Sequence, residues 1–186
     1  MKESKGEQDS VIDVYHRHGS AWAELRSDHL VEGRWLDRFC DRLPVGAAVL
    51  DIGCGSGLPI ARELIRRGFD VTGVDGTPTM LALFRRNLPD ASAHLVDMRL
   101  LALGRRFAGL LAWDSFFHLS PEDQRAMFSR FEAHAAPRAV LMFTSGDSEG
   151  RAIGELEGIP STMAAWDQKS IGSCWTPLVS RSSITS

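Results

Sequence analysis

The hydrophobic positions divide the chain into a helical front and a body where short apolar runs alternate with amphipathic stretches. Residues 1–10 are polar and charged and read as a disordered start. Residues 11–43 follow a period near 3.6. Val11, Ile12 and Tyr15 share one face, as do Leu30, Trp35, Leu36 and Phe39. Gly19 and Gly33 are expected to break this stretch into two or three helices, and Leu43-Pro44-Val45-Gly46 reads as a turn.

The period then changes. Residues 47–52 form an apolar run broken only by Asp51, fit for a strand covered on both faces. A glycine-rich loop leads into a helix through Ile60, Ala61, Leu64 and Ile65. Gly68 ends it, with Arg66 and Arg67 in the last turn. Further strands are predicted over 70–75, 93–96, 107–113 and 139–144. Helices are predicted from Pro78 to Asn87 and from Pro121 to about Ala135, the second with Ser120 as N-cap. Strands alternating with helices imply right-handed crossovers. The expected fold is therefore α/β: a doubly wound, mostly parallel sheet with helices on both faces.

Composition narrows the function without naming it. The chain has 186 residues, which suits one domain, and its net charge of −3 offers no basis for non-specific nucleic-acid or anionic-membrane binding. Three cysteines without repeating spacing argue against a disulfide framework and against a zinc site, so no metal is expected. The start, MKESKGEQDS, lacks the apolar core of a signal peptide, and no run reaches the roughly 18 apolar residues of a membrane span. A cytoplasmic location is the expectation.

The chemistry concentrates in Val49-Leu50-Asp51-Ile52-Gly53-Cys54-Gly55-Ser56-Gly57, between the first strand and a helix. Glycines there allow positive φ and close approach of a ligand. In open α/β sheets ligands bind at the carboxyl ends of the strands. The second strand ends in Asp75, 22 residues beyond Gly53, where a carboxylate can accept from both ribose hydroxyls of a nucleoside. A dinucleotide fingerprint needs a small residue at position 58, where Leu58 stands. Asp51, just ahead of the glycines, disfavours a pyrophosphate and favours a cationic ligand such as a sulfonium bearing an ammonium group. The alternative is a glycine-rich turn without a ligand.

This segment, with Val71-Thr72-Gly73-Val74-Asp75, Val96-Asp97-Met98 and the stretch from Leu111 to Leu119, resembles the class I S-adenosylmethionine-dependent methyltransferases, specifically small bacterial ones of unassigned substrate. The resemblance runs from about Val11 to Pro160. It implies a Rossmann-like methyltransferase fold, with S-adenosylmethionine as cofactor and S-adenosylhomocysteine as product. Asp51, Gly53, Cys54, Gly55 and Gly57 would line the methionyl part, Asp75 and Gly76 the ribose, and Asp97 and Met98 the adenine. Residues 113 to 115, led by Trp113, would line the methyl-transfer mouth. His118 is the candidate general base, with Asp114 as its orienter or as a second base. Tyr15, Trp22 and Arg26, spaced for one helical face, would cover the cofactor, Arg26 pairing with its carboxylate. Each has a structural alternative. Asp97 could only cap a turn, Met98 and Trp113 could be core, His118 could be a packing residue, and Tyr15 and Trp22 could pack inward with Arg26 in solvent.

The implied substrate is a small molecule, with no nucleic acid or membrane involved and with a homodimer left open. A catalytically inactive binding module and a nicotinamide oxidoreductase are the competing functions. Residues 11–160 would form the methyltransferase domain, with 11–43 as its helical cap.

The family fold continues into two more strands at the sheet edge, but residues 161–186 show neither strand alternation nor an amphipathic helix. One legal back-translation from Ser161, read from its third base, gives YHGSLGPKEYRELLDAAGFEVV: a proline-led amphipathic helix, a glycine stop and a β-branched strand. The tail is therefore expected to be frame-shifted and the C-terminal strands missing or altered. A genuine variable tail is the alternative.

Overall fold

The computed structural model describes residues 30–144, 150–156 and 159–165. The expected disordered start and the face carrying Val11, Ile12 and Tyr15 lie outside these residues. Helix α1 (Gly33–Cys40) precedes an alternation of β1 (Ala48–Ile52), α2 (Ile60–Arg66), β2 (Asp70–Asp75), α3 (Pro78–Asn87), β3 (Ser92–Leu95), β4 (Phe107–Ala112), α4 (Pro121–His134) and β5 (Ala135–Phe143). The strands form one parallel sheet in the order β3-β2-β1-β4-β5. The chain winds outward from β1 to β3, then returns across β1 to begin β4. That reversal opens a crevice between the carboxyl ends of β1 and β4.

Strand alternation explains the two cores. Val49 points into a cluster with Leu36 and Phe39 of α1, Leu64 of α2 and Phe84 of α3. Leu50 and Ile52 point to the opposite face, where Met127, Phe128 and Phe131 of α4 pack with Phe116 and Leu110. β2 and β4 pair both edges of β1 and the helices of the two clusters cover both its faces, which accounts for its near-continuous apolar sequence.

Gly33 stands at the start of α1, a helix boundary as expected. Three details differ from the expectation. Ile65 is exposed, because Ile60, Ala61 and Leu64 already fill the inner stripe and Ile65 falls roughly 100° away from Leu64. Strand β5 begins at Ala135, four residues early, through an irregular register: Phe107 pairs with Ala135, but Gly109 pairs with Val140. Pro137 and the left-handed Arg138 (φ 63°) lie in that irregularity, so no strand pattern is legible there. Finally, β6 (Gly150–Leu156) and β7 (Ile159–Ala165) form a separate antiparallel pair in which Leu156 faces Ile159. Residues 161–165 thus belong to a strand, held by pairing across a two-residue connection rather than by local alternation. Among the described residues, the main sheet ends at β5.

Candidate functional site

The crevice is built from four strand ends. After β1 the backbone turns through Gly53, Gly55 and Gly57, all at positive φ (77°, 54° and 79°). Two of these glycines are required sterically. A Cβ on Gly53 would lie 2.3 Å from the Cβ of Ser115, and one on Gly57 would lie 2.6 Å from Leu88 and 2.8 Å from Phe84. At Gly55 a Cβ would meet nothing within 4 Å, because that residue borders open space.

The loop's amides are committed inside the protein. Gly53 and Cys54 donate to the Val74 carbonyl at 2.8 and 3.0 Å, and Gly57 donates to the Cys54 carbonyl at 2.9 Å. Gly55 donates to Asp75 Oδ2 at 3.0 Å. A phosphate-binding loop needs several backbone N–H groups aimed at the ligand, and these four point elsewhere.

Asp75 ends β2. Its Oδ1 accepts from the Thr77 amide at 2.8 Å, so each carboxylate oxygen holds one backbone donor and keeps acceptor capacity. Burial pushes its pKa above the usual carboxylate value, opposed by the hydrogen bonds from Thr77 and Gly55. Asp51 is buried on the same wall. Burial, then the charges of Asp51 and Asp75, push the Cys54 thiol well above its ordinary pKa, which keeps Cys54 a neutral wall residue.

Beyond β3, Asp97 caps the 3-10 turn 98–100 by accepting from the Arg99 amide at 2.9 Å, and Arg99 lies against its carboxylate. Burial opposes ionisation of Asp97, but the Arg99 contacts win and lower its pKa. On the far side of the crevice, Asp114 has φ 48° and donates its amide to Thr144 Oγ1 at 2.8 Å. Ser115 Oγ donates to the Ile52 carbonyl at 2.7 Å and ties the turn after β4 to the end of β1. His118 packs against Phe117 in a tilted arrangement, with ring centroids 4.6 Å apart.

Asp51, Gly53, Cys54, Gly55, Gly57, Asp75, Gly76, Asp97, Met98, Trp113, Asp114 and His118 all line this one crevice. Tyr15, Trp22 and Arg26 lie outside the described residues. Ser115, expected at the mouth with Trp113, lines it too, and sequence reasoning missed Thr77 and Arg99, which also line it. Thr77 was findable, since an Asp two residues before a Pro-capped helix start invites such a turn. The hydrogen bond of Ser115 to the end of β1 gave no signal, because it joins residues far apart in the chain. Asp97 does cap a turn, as its structural alternative held, and it borders the crevice as well.

A family model described as a methyltransferase domain matches residues 49–138, the stretch that contains the crevice loop and β1 to β4. Residues 49–138 thus carry a methyltransferase domain. The chain is 38% identical over 130 residues to a dTDP-3-amino-3,6-dideoxy-alpha-D-glucopyranose N,N-dimethyltransferase of Streptomyces fradiae, covering 69% of this chain and 46% of the relative. It is 39% identical over 93 residues to a magnesium-protoporphyrin O-methyltransferase of Rhodobacter capsulatus, covering 47% and 40%. The matched parts thus span less than half the length of these curated relatives. In fold, the DhpI complex with S-adenosylhomocysteine superposes with a TM-score of 0.73 at 18% identity, over 91% of this chain and 86% of that one. CalS10, an amino pentose methyltransferase of Micromonospora echinaspora, gives 0.64 at 21%, over 85% of each chain. Among the described residues, no group of His, Cys, Asp and Glu is arranged to hold a metal ion, and no helix is long and apolar enough to cross a membrane.

Proposed function

We propose that the protein binds S-adenosylmethionine in the crevice and transfers its methyl group to a nitrogen of a small molecule. The observation that carries the cofactor half is the hydrogen-bond pattern of the loop. The amides of Gly53, Cys54, Gly55 and Gly57 serve internal acceptors, while Asp51 and Asp75 offer carboxylate charge. Such a wall suits a cationic nucleoside with free ribose hydroxyls and repels a pyrophosphate. Asp75 would hold the ribose, Asp51 and the glycines the methionyl end, and Asp97 with Met98 the adenine. Tyr15, Trp22 and Arg26 would cover it.

When bound, the cofactor supplies an electrophilic methyl carbon on sulfur. The chain's residues orient the acceptor and handle its proton. Asp114, held in a left-handed conformation at the mouth, attracts an ammonium form of the acceptor. His118 takes the proton that the nitrogen gives up. The nitrogen lone pair forms the new bond to carbon, and the electrons of the broken bond return to sulfur. Support for nitrogen over oxygen comes from this acidic mouth and from the amino-sugar substrates named for the Streptomyces fradiae relative and for CalS10.

Labelled methyl transfer to a nucleotide-linked amino sugar and to its hydroxyl counterpart tests the reading. The amine is expected to be labelled, and His118→Ala to slow the reaction by about a hundredfold. Labelling of the hydroxyl counterpart alone overturns the nitrogen assignment. On this reading the protein works in a bacterial cytoplasm, alone or as a homodimer, without nucleic acid or membrane. The tail from residue 161 is read as frame-shifted on its sequence alone. An uninterrupted frame across codon 160 in independent isolates overturns that reading.

A further inference from the structure

Asp97 is expected to accept the adenine amino group, yet its carboxylate is fully engaged. Oδ1 accepts from the Arg99 amide at 2.9 Å and from Arg99 Nε at 3.0 Å. Oδ2 accepts from Nε at 2.9 Å and from Nη2 at 2.5 Å. Each oxygen therefore carries two nitrogen contacts, which exhausts the in-plane acceptor capacity of a carboxylate. A purine amino group arriving there meets a positive charge already bound. The same guanidinium stands 4.0 Å from Asp123 Oδ2, in the first turn of α4. Asp123 uses its backbone amide, not its carboxylate, to complete the Ser120 cap. Both carboxylates and the guanidinium are half-buried, so screening of the exchange is incomplete.

We infer that Arg99 is a purine gate: it occupies Asp97 and moves to Asp123 when a 6-amino purine takes its place. The inference rests on the proposed cofactor reading, and it adds a specificity-determining residue to that site. The exchange trades one charge-assisted contact for another, so the cofactor displaces Arg99 at a low net cost. A purine with a 6-oxo group offers Asp97 no donor and leaves Arg99 in place. Arg99 is thus a competitor that only the amino purine must displace, so its removal is expected to widen the preference of Asp97 for the amino over the oxo purine.

Calorimetric titration of the full chain with S-adenosylhomocysteine and with S-inosylhomocysteine tests this. Arg99→Ala is expected to tighten S-adenosylhomocysteine binding by about threefold or more, the scale of a partly screened ion pair. Asp123→Asn, which removes the destination, is expected to weaken it by a similar factor. In the double variant the Asp123→Asn loss is expected to vanish, since no guanidinium remains to be received. A merely structural Arg99 predicts the opposite sign: weaker binding in Arg99→Ala and parallel losses for both ligands. Either that result, or an Asp123→Asn loss that persists in the double variant, overturns the gate. Wild-type protein that binds neither ligand contradicts the cofactor reading itself, which separates the two failures.

Discussion

At the scale of single residues, the three loop glycines have different tasks. Gly57 is enclosed by Leu88 and Phe84, so Gly57→Ala is expected to destabilise the fold by about 2 kcal/mol or more through overpacking at a positive φ. Gly55 borders open space, so Gly55→Ala is expected to cost about 1 kcal/mol of stability but to block the crevice. Thermal melts with and without S-adenosylhomocysteine separate the two. Gly57→Ala lowers the apo midpoint, whereas Gly55→Ala mainly removes the ligand-induced rise. Asp75 adds a pH signature. On the proposed reading its ionised form accepts from the ribose hydroxyls, and burial raises its pKa. Affinity is therefore present above that raised value and is lost as pH falls through it, sooner than for an ordinary aspartate. Asp75→Ala is expected to remove about 1.5–3 kcal/mol of binding and to flatten the acid limb of the affinity profile.

Elements act here by holding one another's ends. The turn 116–118 carries the neighbours of Ser115 and His118, and its anchor is Phe116. That ring packs against Phe128 and Phe131 of α4 and Phe143 of β5 at centroid distances of 6.0, 5.9 and 4.9 Å. Phe116→Ala is expected to destabilise the protein by about 3–5 kcal/mol in a denaturant titration, from the lost burial and the cavity left behind. The sequence made some of this legible. Leu50 and Ile52 announced a doubly covered strand, and Ser120 with Pro121 announced the start of α4. Gly53, Gly55, Gly57 and Asp75 were legible as crevice residues because special backbone geometry and a strand-end carboxylate leave local marks. The tie of Ser115 to β1 and the early start of β5 were not legible, because both depend on partners far along the chain: Ile52 for one and the bulged pairing with β4 for the other. Arg99 was hidden for another reason. An arginine near an aspartate is common in any sequence, and only the four nitrogen contacts distinguish it.

The whole molecule is a scaffold that brings four strand ends to one crevice while leaving loop amides unavailable to phosphate. On the proposed reading this crevice takes an adenosine-bearing sulfonium, not a dinucleotide. Isothermal calorimetry on the folded chain with sinefungin and with NAD tests it most directly. Saturable heat with sinefungin, abolished by Asp75→Ala, and no heat with NAD are predicted. Heat with NAD and none with sinefungin, from protein whose circular dichroism shows the native α/β signal, would contradict the account.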